Sequence, residues 1–332
     1  SAINTLIEND VLPDAVCIYD PAANTAEVVR KVREKGLDIP LVFGSSVYYG
    51  ALRDYPGSKF HILNSQDTVS AYFLKAVEGR SLERIIDAPS VAIIALQLLV
   101  NLGCSPIILA GQNFAFRNNR YYARGIEYKG RPGEICNLDQ ENAVETEDVY
   151  GGRVQTSRLF NHMRNQMEMY IDYCGRKDIV NTTKGGAKIK GTVYKPLEEL
   201  LKKELVKRVV DTNWIEDNDF SYDIDYMISQ GKLILTERKA AEELTDILAD
   251  SVKTLEMEKS ITILQAALNS FETAYNKLVK NSFFNHVLWP MNRVQFEMIA
   301  KNIEEMPRSK DVKDKADFII ETFGDVFECC KR

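Results

Sequence analysis

The chain has 332 residues, 45% of them hydrophobic and 27% charged, with a formal net charge of −6. That length accommodates two domains with real cores. An acidic balance argues against nucleic acid as the main partner, because phosphate binding relies on clustered Lys and Arg. No apolar run reaches the length of a membrane span and no signal peptide opens the sequence, so neither a membrane nor secretion is expected. Six cysteines (17, 104, 136, 174, 329, 330) lack CxxC spacing, which suits a reducing, cytoplasmic compartment. Three histidines, His61, His162 and His286, are too few for a His-rich metal centre.

In chain order, the opening residues read as part of a helix. Ala15 to Tyr19 reads as a short apolar strand that delivers Asp20 to a sheet edge, where Pro21 turns the chain. An Asp at a strand's carboxyl end can bind ribose hydroxyls or a metal. It can equally cap the helix expected from Ala22 to Lys35. Leu41-Val42-Phe43 reads as the next strand, and Gly44-Ser45-Ser46 as the opening of a helix whose N-terminus could seat an anion. Phe60 to Leu63 makes a further strand.

Val91, Ile94, Ala95, Leu98, Leu99 and Leu102 follow helical spacing with apolar residues between them, so a helix buried on most sides is expected. Pro89 suits its first turn and Gly103 its stop. Pro106 to Ala110 reads as a strand covered on both faces, ended by Gly111. In a doubly wound α/β unit the start of the helix and the end of the following strand share the carboxyl edge of the sheet, where ligands bind. Ser90 and Asn113, 23 positions apart, are therefore expected beside one cleft.

A long polar loop is expected from Arg117 to Tyr150, carrying Tyr121, Tyr122 and the Gly130-Arg131-Pro132-Gly133 turn. Gln155 to Cys174 reads as an amphipathic helix with Leu159, Met163, Met167 and Tyr170 on its core stripe. Ile179-Val180 leads into Asn181 and Thr182-Thr183-Lys184-Gly185-Gly186, where glycines let backbone amides approach an anion and Lys184 or Lys188 could add charge. Plain turn formation also explains those glycines. Pro196 to Val210 reads as helical, Asp211 to Tyr226 as an acidic, aromatic connector. From Glu237 the periodicity is helical over 238–255, 258–280, 291–305 and 311–328, with breaks at Pro290 and Pro307.

Four blocks together carry a family resemblance. They are Pro13-Asp14 with Asp20-Pro21; Ser90-Val91-Ala92 through Gly111-Gln112-Asn113-Phe114-Ala115-Phe116; Tyr150-Gly151-Gly152-Arg153-Val154-Gln155-Thr156; and Asn181-Thr182-Thr183-Lys184-Gly185-Gly186-Ala187-Lys188-Ile189-Lys190-Gly191. In this order, across about residues 1 to 200, the chain resembles the motility accessory factor flagellin glycosyltransferases, which share a domain with MptE-like 6-hydroxymethylpterin diphosphokinases.

The resemblance implies a Rossmann-like, sialyltransferase-like parallel sheet domain over residues 1–210, a connector over 211–237 and a helical domain over 238–332. It implies transfer of a nucleotide-activated, CMP-linked nonulosonic acid, such as pseudaminic or legionaminic acid, to Ser or Thr of flagellin or another protein acceptor. Ser90, Asn113, Tyr121 and Tyr122 would line the reaction centre. Asp20, Gly44, Ser45, Gly111, Gln112, Asn181, Gly185, Gly186 and Lys188 would hold the nucleotide.

Relatives place a strand and a Gly-Pro-Ser-Leu type loop ahead of the point where this sequence starts, at Ser1. They also carry Asp where Asn113 stands and often His where Tyr122 stands, so no general base is identifiable. Two alternatives stay open. A pyrophosphokinase would use ATP and the cofactor Mg²⁺ on a pterin alcohol and would require a carboxylate cluster. A non-catalytic nucleotide-sugar-binding module would retain the cleft alone.

Overall fold

A computed structural model describes residues 2–77, 82–116, 120, 134–207, 220–304, 311–324 and 326–329. The chain divides into two compact units: Ser1–Gln66 with Glu83–Asn218, and Asp67–Leu82 with Asp219–Arg332.

In the first unit, four short strands form a parallel sheet in sequence order: β1 (Val16–Ile18), β2 (Leu41–Gly44), β3 (Lys59–Asn64) and β4 (Arg84–Ile85). Val16 pairs with Leu41, Leu41 with Lys59, and Leu63 with Arg84. Val16, Ile18 and Leu41 are buried against Val29, Val32 and Ile39, so one apolar face fixes the register. A second parallel sheet follows, in the order β5 (Ile107–Leu109), β8 (Ile179–Asn181), β9 (Val193–Tyr194). All three residues of the central β8 are buried, as a strand covered on both faces requires. Helices Val91–Asn101 and Arg158–Cys174 supply Ile93, Leu96, Met167 and Ile171 to the core that includes Ile107, Leu109 and Ile179.

Local chemistry sets the helix limits. The Ser90 hydroxyl accepts from the Ala92 N–H, and the Ser157 hydroxyl from that of Phe160. Gly175, at φ 65°, ends the second helix in the left-handed conformation that glycine adopts without steric cost.

Several expectations are corrected. The region to residue 200 holds two parallel sheets rather than one, together with an antiparallel ribbon of β6 (Val144–Glu147) and β7 (Arg153–Thr156). Strand β6 and a helix at Asn137–Glu141 lie where a loop was expected. The alternation of Val and Thr with Glu, Arg and Gln is that of a two-residue period, without the apolar run that marked the other strands. The buried stripe of helix Val91–Asn101 is Ile93, Ile94, Leu96 and Gln97, while Val91, Leu99 and Leu102 are exposed. Leu159 is exposed too, and Gln155 belongs to β7. The helix expected from Ala22 is two pieces, Thr25–Val28 and Arg30–Glu34. Gly44-Ser45-Ser46 leads only to the four-residue helix Tyr49–Leu52.

The second unit is helical, with Ile224–Met257, Ile261–Leu278, Arg293–Glu304 and Val312–Phe323 as its main helices. Leu248, Val252, Leu264, Phe271, Phe284, Phe296 and Phe323 are among its core residues. Ile224 lies inside the expected connector. The helix begins there because the Asp223 carboxylate accepts from the Tyr226 N–H at 2.9 Å and caps it. Pro290 does not break the chain's coiling; it sits in the first turn of helix Trp289–Met291, directly after a π-helical turn at Phe284–Leu288. Residues 67–82 also belong to this unit, although sequence places them in the α/β region. Their helix Thr68–Phe73 sets Tyr72 against His286 with ring centroids 4.7 Å apart, and the Lys75 carbonyl accepts from the Asp223 N–H at 2.8 Å. No helix of the described residues is long and apolar enough to cross a membrane.

Candidate functional site

A cleft of about 540 Å³ opens at the carboxyl end of β1 in the first unit. One wall is Cys17 to Pro21 with Asn24, Thr25 and Val28; the other is Ala88 to Val91, and Phe160 and Met163 add apolar surface. The position is where an α/β sheet binds ligands, because strand ends and helix starts converge there. Asp20 and Ser90, two of the residues singled out in the sequence, both line it.

Asp20 is exposed, and its Oδ1 accepts from the Ala22 N–H at 2.9 Å. That turn orients the carboxylate and leaves Oδ2 for another donor. Its backbone carbonyl takes the Thr25 hydroxyl at 2.9 Å, so strand end and helix start are fastened together. The Ser90 Oγ accepts from the Ala92 N–H at 3.3 Å as N-cap of an eleven-residue helix. Ser90 thus brings a hydroxyl and the positive end of a helix dipole to the facing wall.

Beneath this wall lies a polar network that sequence reading did not find. Tyr19 Oη donates to Asp87 Oδ1 at 2.5 Å and accepts from Asn64 Nδ2. The Ser65 hydroxyl accepts from the Asp87 N–H at 3.0 Å. Burial, with the adjacent Asp87 carboxylate, pushes the Tyr19 phenol up to about 12, so it remains a donor at any physiological pH. Its members gather from the ends of three strands: Tyr19 after β1, Asn64 and Ser65 at the end of β3, and Asp87 after β4. The signal available in sequence was only that Asn64-Ser65 and Asp87 are polar residues following short apolar runs.

Gly44 and Ser45 sit beside this network. The Tyr19 ring lies over Gly44, where an added Cβ would meet Tyr19 Cδ2 at 2.5 Å. Ser45 Oγ is 2.6 Å from His61 Nε2. With no long helix behind it, Ser45 lacks the anion seat expected of it.

The other candidates gather at the ends of β5 and β8. The Gln112 N–H donates to Thr183 Oγ1 at 2.9 Å, and the Ala187 N–H to the Asn113 carbonyl at 2.8 Å. Gly111 at φ 73°, Phe114 at φ 44° and Gly185 at φ 67° shape these loops. Gly186 packs so closely that a Cβ would lie 2.9 Å from the Asn113 carbonyl oxygen. Asn181, 1% exposed, accepts the Thr183 N–H on Oδ1, while its Nδ2 is buried with no partner among the described residues. Lys188 pairs with Glu147 at 2.7 Å and Lys184 with Glu198 at 2.5 Å, so both cations are engaged at the surface. Tyr150 and Tyr194 join this region, with hydroxyls 3.3 Å apart.

The structure therefore brings Asp20 and Ser90 together at the cleft, with Gly44 and Ser45 beside the network under its wall. It brings Gly111, Gln112, Asn113, Asn181, Gly185 and Gly186 together at a neighbouring pair of strand ends. None of this second group lines the 540 Å³ cleft. Tyr121 and Tyr122 lie outside the described residues.

The model of the 6-hydroxymethylpterin diphosphokinase MptE-like family matches residues 1–119. The solved MAf glycosyltransferase of Magnetospirillum magneticum AMB-1 is similar to the whole fold, with a TM-score of 0.53 at 12% sequence identity. The similarity covers 98% of this chain and 49% of that one, so the chain spans about half the length of that glycosyltransferase. Comparison with curated proteins gave no match. The resemblance to motility accessory factors and MptE-like proteins is borne out, and with it a mixed α/β fold followed by helices.

Of the residues lining the cleft, Asp20 alone is acidic, and among the described residues no group of three His, Cys, Asp or Glu side chains is placed to hold a metal ion. The donors around the cleft thus do not fit the Mg²⁺ cluster that a pyrophosphokinase would call for.

Proposed function

We propose that this chain is a glycosyltransferase of the motility accessory factor type, moving a CMP-linked nonulosonic acid to Ser or Thr of flagellin or another protein acceptor in the cytoplasm. The observation that carries the proposal is the similarity of the fold to a glycosyltransferase over 98% of the chain. The cleft supports it, since Asp20 and Ser90 meet at the carboxyl edge of the first sheet.

In such a transfer the bond from the anomeric carbon to the nucleotide phosphate breaks, and a bond to the acceptor oxygen forms. The acceptor's proton leaves to a base, and the departing phosphate gains charge. Positioning and preorganised donors supply most of the acceleration. Ser90 offers a hydroxyl and the N–H groups of a helix start to the phosphate. The free oxygen of Asp20 suits ribose hydroxyls. Asn113, Asn181, Gly185 and Gly186 do not line this cleft, so Asp20 and Ser90 are the groups assigned to the donor there. Tyr121 or Tyr122 would serve as a neutral donor to the leaving phosphate.

Titration with CMP, CDP, ATP and pterin alcohol, followed by a transfer assay with a CMP-activated nonulosonic acid and flagellin, tests the reading. CMP binding with transfer is the expected result. ATP-dependent pyrophosphorylation of the pterin would overturn it in favour of a kinase. Binding without transfer in the presence of competent donor and acceptor would leave a nucleotide-sugar-binding module.

A further inference from the structure

The walls of the cleft come from segments far apart in sequence, Cys17–Pro21 and Ala88–Val91, and their separation decides what fits between them. Strand β1 and the segment leading to Ser90 are joined below the cleft by one side chain. Tyr19 lines the cleft, and its hydroxyl reaches Asp87 Oδ1 at 2.5 Å, three residues before Ser90. Asn64, only 9% exposed, donates to the hydroxyl and, at 3.4 Å, to Asp87 Oδ1, while its own Oδ1 accepts from the Gln66 N–H at 2.8 Å. Asp87 is fixed on its other side by Ser65. The Tyr19 ring has no room to swing toward β2, because it rests on Gly44, whose missing Cβ is what leaves space for it. Ring, hydroxyl and both partners are therefore each held, and the tyrosine acts as a strut of fixed length.

We propose that Tyr19 is a positioning residue: through Asp87 its hydroxyl holds the Ala88–Val91 wall, and with it Ser90 and the helix start, at the distance from Asp20 that a nucleotide needs. This rests on the transferase reading for the identity of the ligand, and on the hydrogen bonds alone for the strut. Tyr19 forms no bond to the reacting atoms. It acts by keeping two binding groups in register, so its removal should weaken ground-state binding and leave the pH profile in place.

The test compares Tyr19→Phe, Asp87→Ala and Asp87→Asn with the wild type in the full chain. CMP affinity is measured by calorimetry, and hydrogen exchange is followed at residues 88–94. Tyr19→Phe keeps the ring and removes the strut; the expected results are CMP binding about tenfold weaker, the scale of one charge-assisted hydrogen bond, and faster exchange confined to residues 88–94. Asp87→Ala should match it. Asp87→Asn retains an acceptor oxygen and should recover most of the affinity, a rescue that a purely electrostatic role for Asp87 would not give. Unchanged affinity and exchange in Tyr19→Phe overturns the inference. Faster exchange throughout the first unit also overturns it, since the residue would then be a general stabiliser. If the wild type binds no CMP, the transferase reading fails and local exchange at 88–94 alone decides the strut.

Discussion

Gly185 and Gly186 are adjacent in sequence and similar in every compositional sense, yet they should respond to alanine in different ways. At Gly186 a Cβ would lie 2.9 Å from the Asn113 carbonyl oxygen, 3.0 Å from Asn113 Cα and 3.1 Å from Thr183 Cγ2. Two of these three atoms are backbone and cannot rotate aside. Relief requires the loops after β5 and β8 to part by a few tenths of an ångström, stretching the Ala187–Asn113 bond at 2.8 Å and the Val149–Gly186 bond at 3.1 Å. Overpacking of this kind costs about 1–3 kcal/mol, and weakening two hydrogen bonds adds about 1 kcal/mol. Reduced freedom of the unfolded chain returns about 0.4–1 kcal/mol.

The net loss for Gly186→Ala is about 1–3.5 kcal/mol, or about 2–14 °C in melting temperature for a unit of this size. Gly185, at φ 67° with nothing within 4 Å of an added Cβ, meets only the left-handed backbone penalty, about 1–2 kcal/mol. Thermal unfolding by circular dichroism gives the order. Exchange at the Val149 and Ala187 amides gives the mechanism, since Gly186→Ala should deprotect them and Gly185→Ala should not. If Gly186→Ala melts within about 1 °C of wild type, or if the two variants deprotect those amides equally, the close packing of these loops is not what the glycine provides.

Asp178 accepts from Arg176 Nε at 2.7 Å and Nη2 at 2.5 Å, and from Ser105 Oγ at 2.6 Å, which together hold its carboxyl well below the usual carboxylate range. A depressed folded-state pKa contributes stability above the unfolded value, near 3.9, and that contribution is lost as pH falls through the folded value. Asp178→Asn should therefore lower the melting temperature at pH 7 and flatten the fall in acid; an unchanged acid limb would contradict this. In the second unit Asn281, 5% exposed, donates to the Glu237 carbonyl at 2.8 Å and accepts from the Phe284 N–H at 2.9 Å. Asn281→Ala removes both bonds and should cost about 1–3 kcal/mol, with Asn281→Asp intermediate by chemical denaturation; equal stability of all three would refute the role. Burial pushes the Cys17 thiol up to about 12, whereas Cys136 is exposed. Alkylation at pH 8, read by mass spectrometry, should modify Cys136 first, and equal rates would show that Cys17 is accessible.

What the sequence determined by itself was local. Ser90 before an apolar helical stretch, Gly103 after it, and the runs at Val16, Leu41, Ile107 and Ile179 are signals whose cause lies within a few residues. They sufficed to place Asp20 and Ser90 at strand and helix ends, and hence at a carboxyl edge. Strands of two residues, as at Arg84–Ile85 and Val193–Tyr194, carry no period to read; their neighbours in the sheet supply the hydrogen bonds that define them. The alternating ribbon at 144–156 was hidden by its polarity. The helix at Thr68–Phe73 joined the second unit because of what Tyr72 packs against, which no local pattern states. The strut under the cleft was the least legible of all: Tyr19 meets Asn64 and Asp87 across 45 and 68 positions. Such a contact exists only once parallel strands have brought their ends to one edge, so only the tertiary structure could decide it.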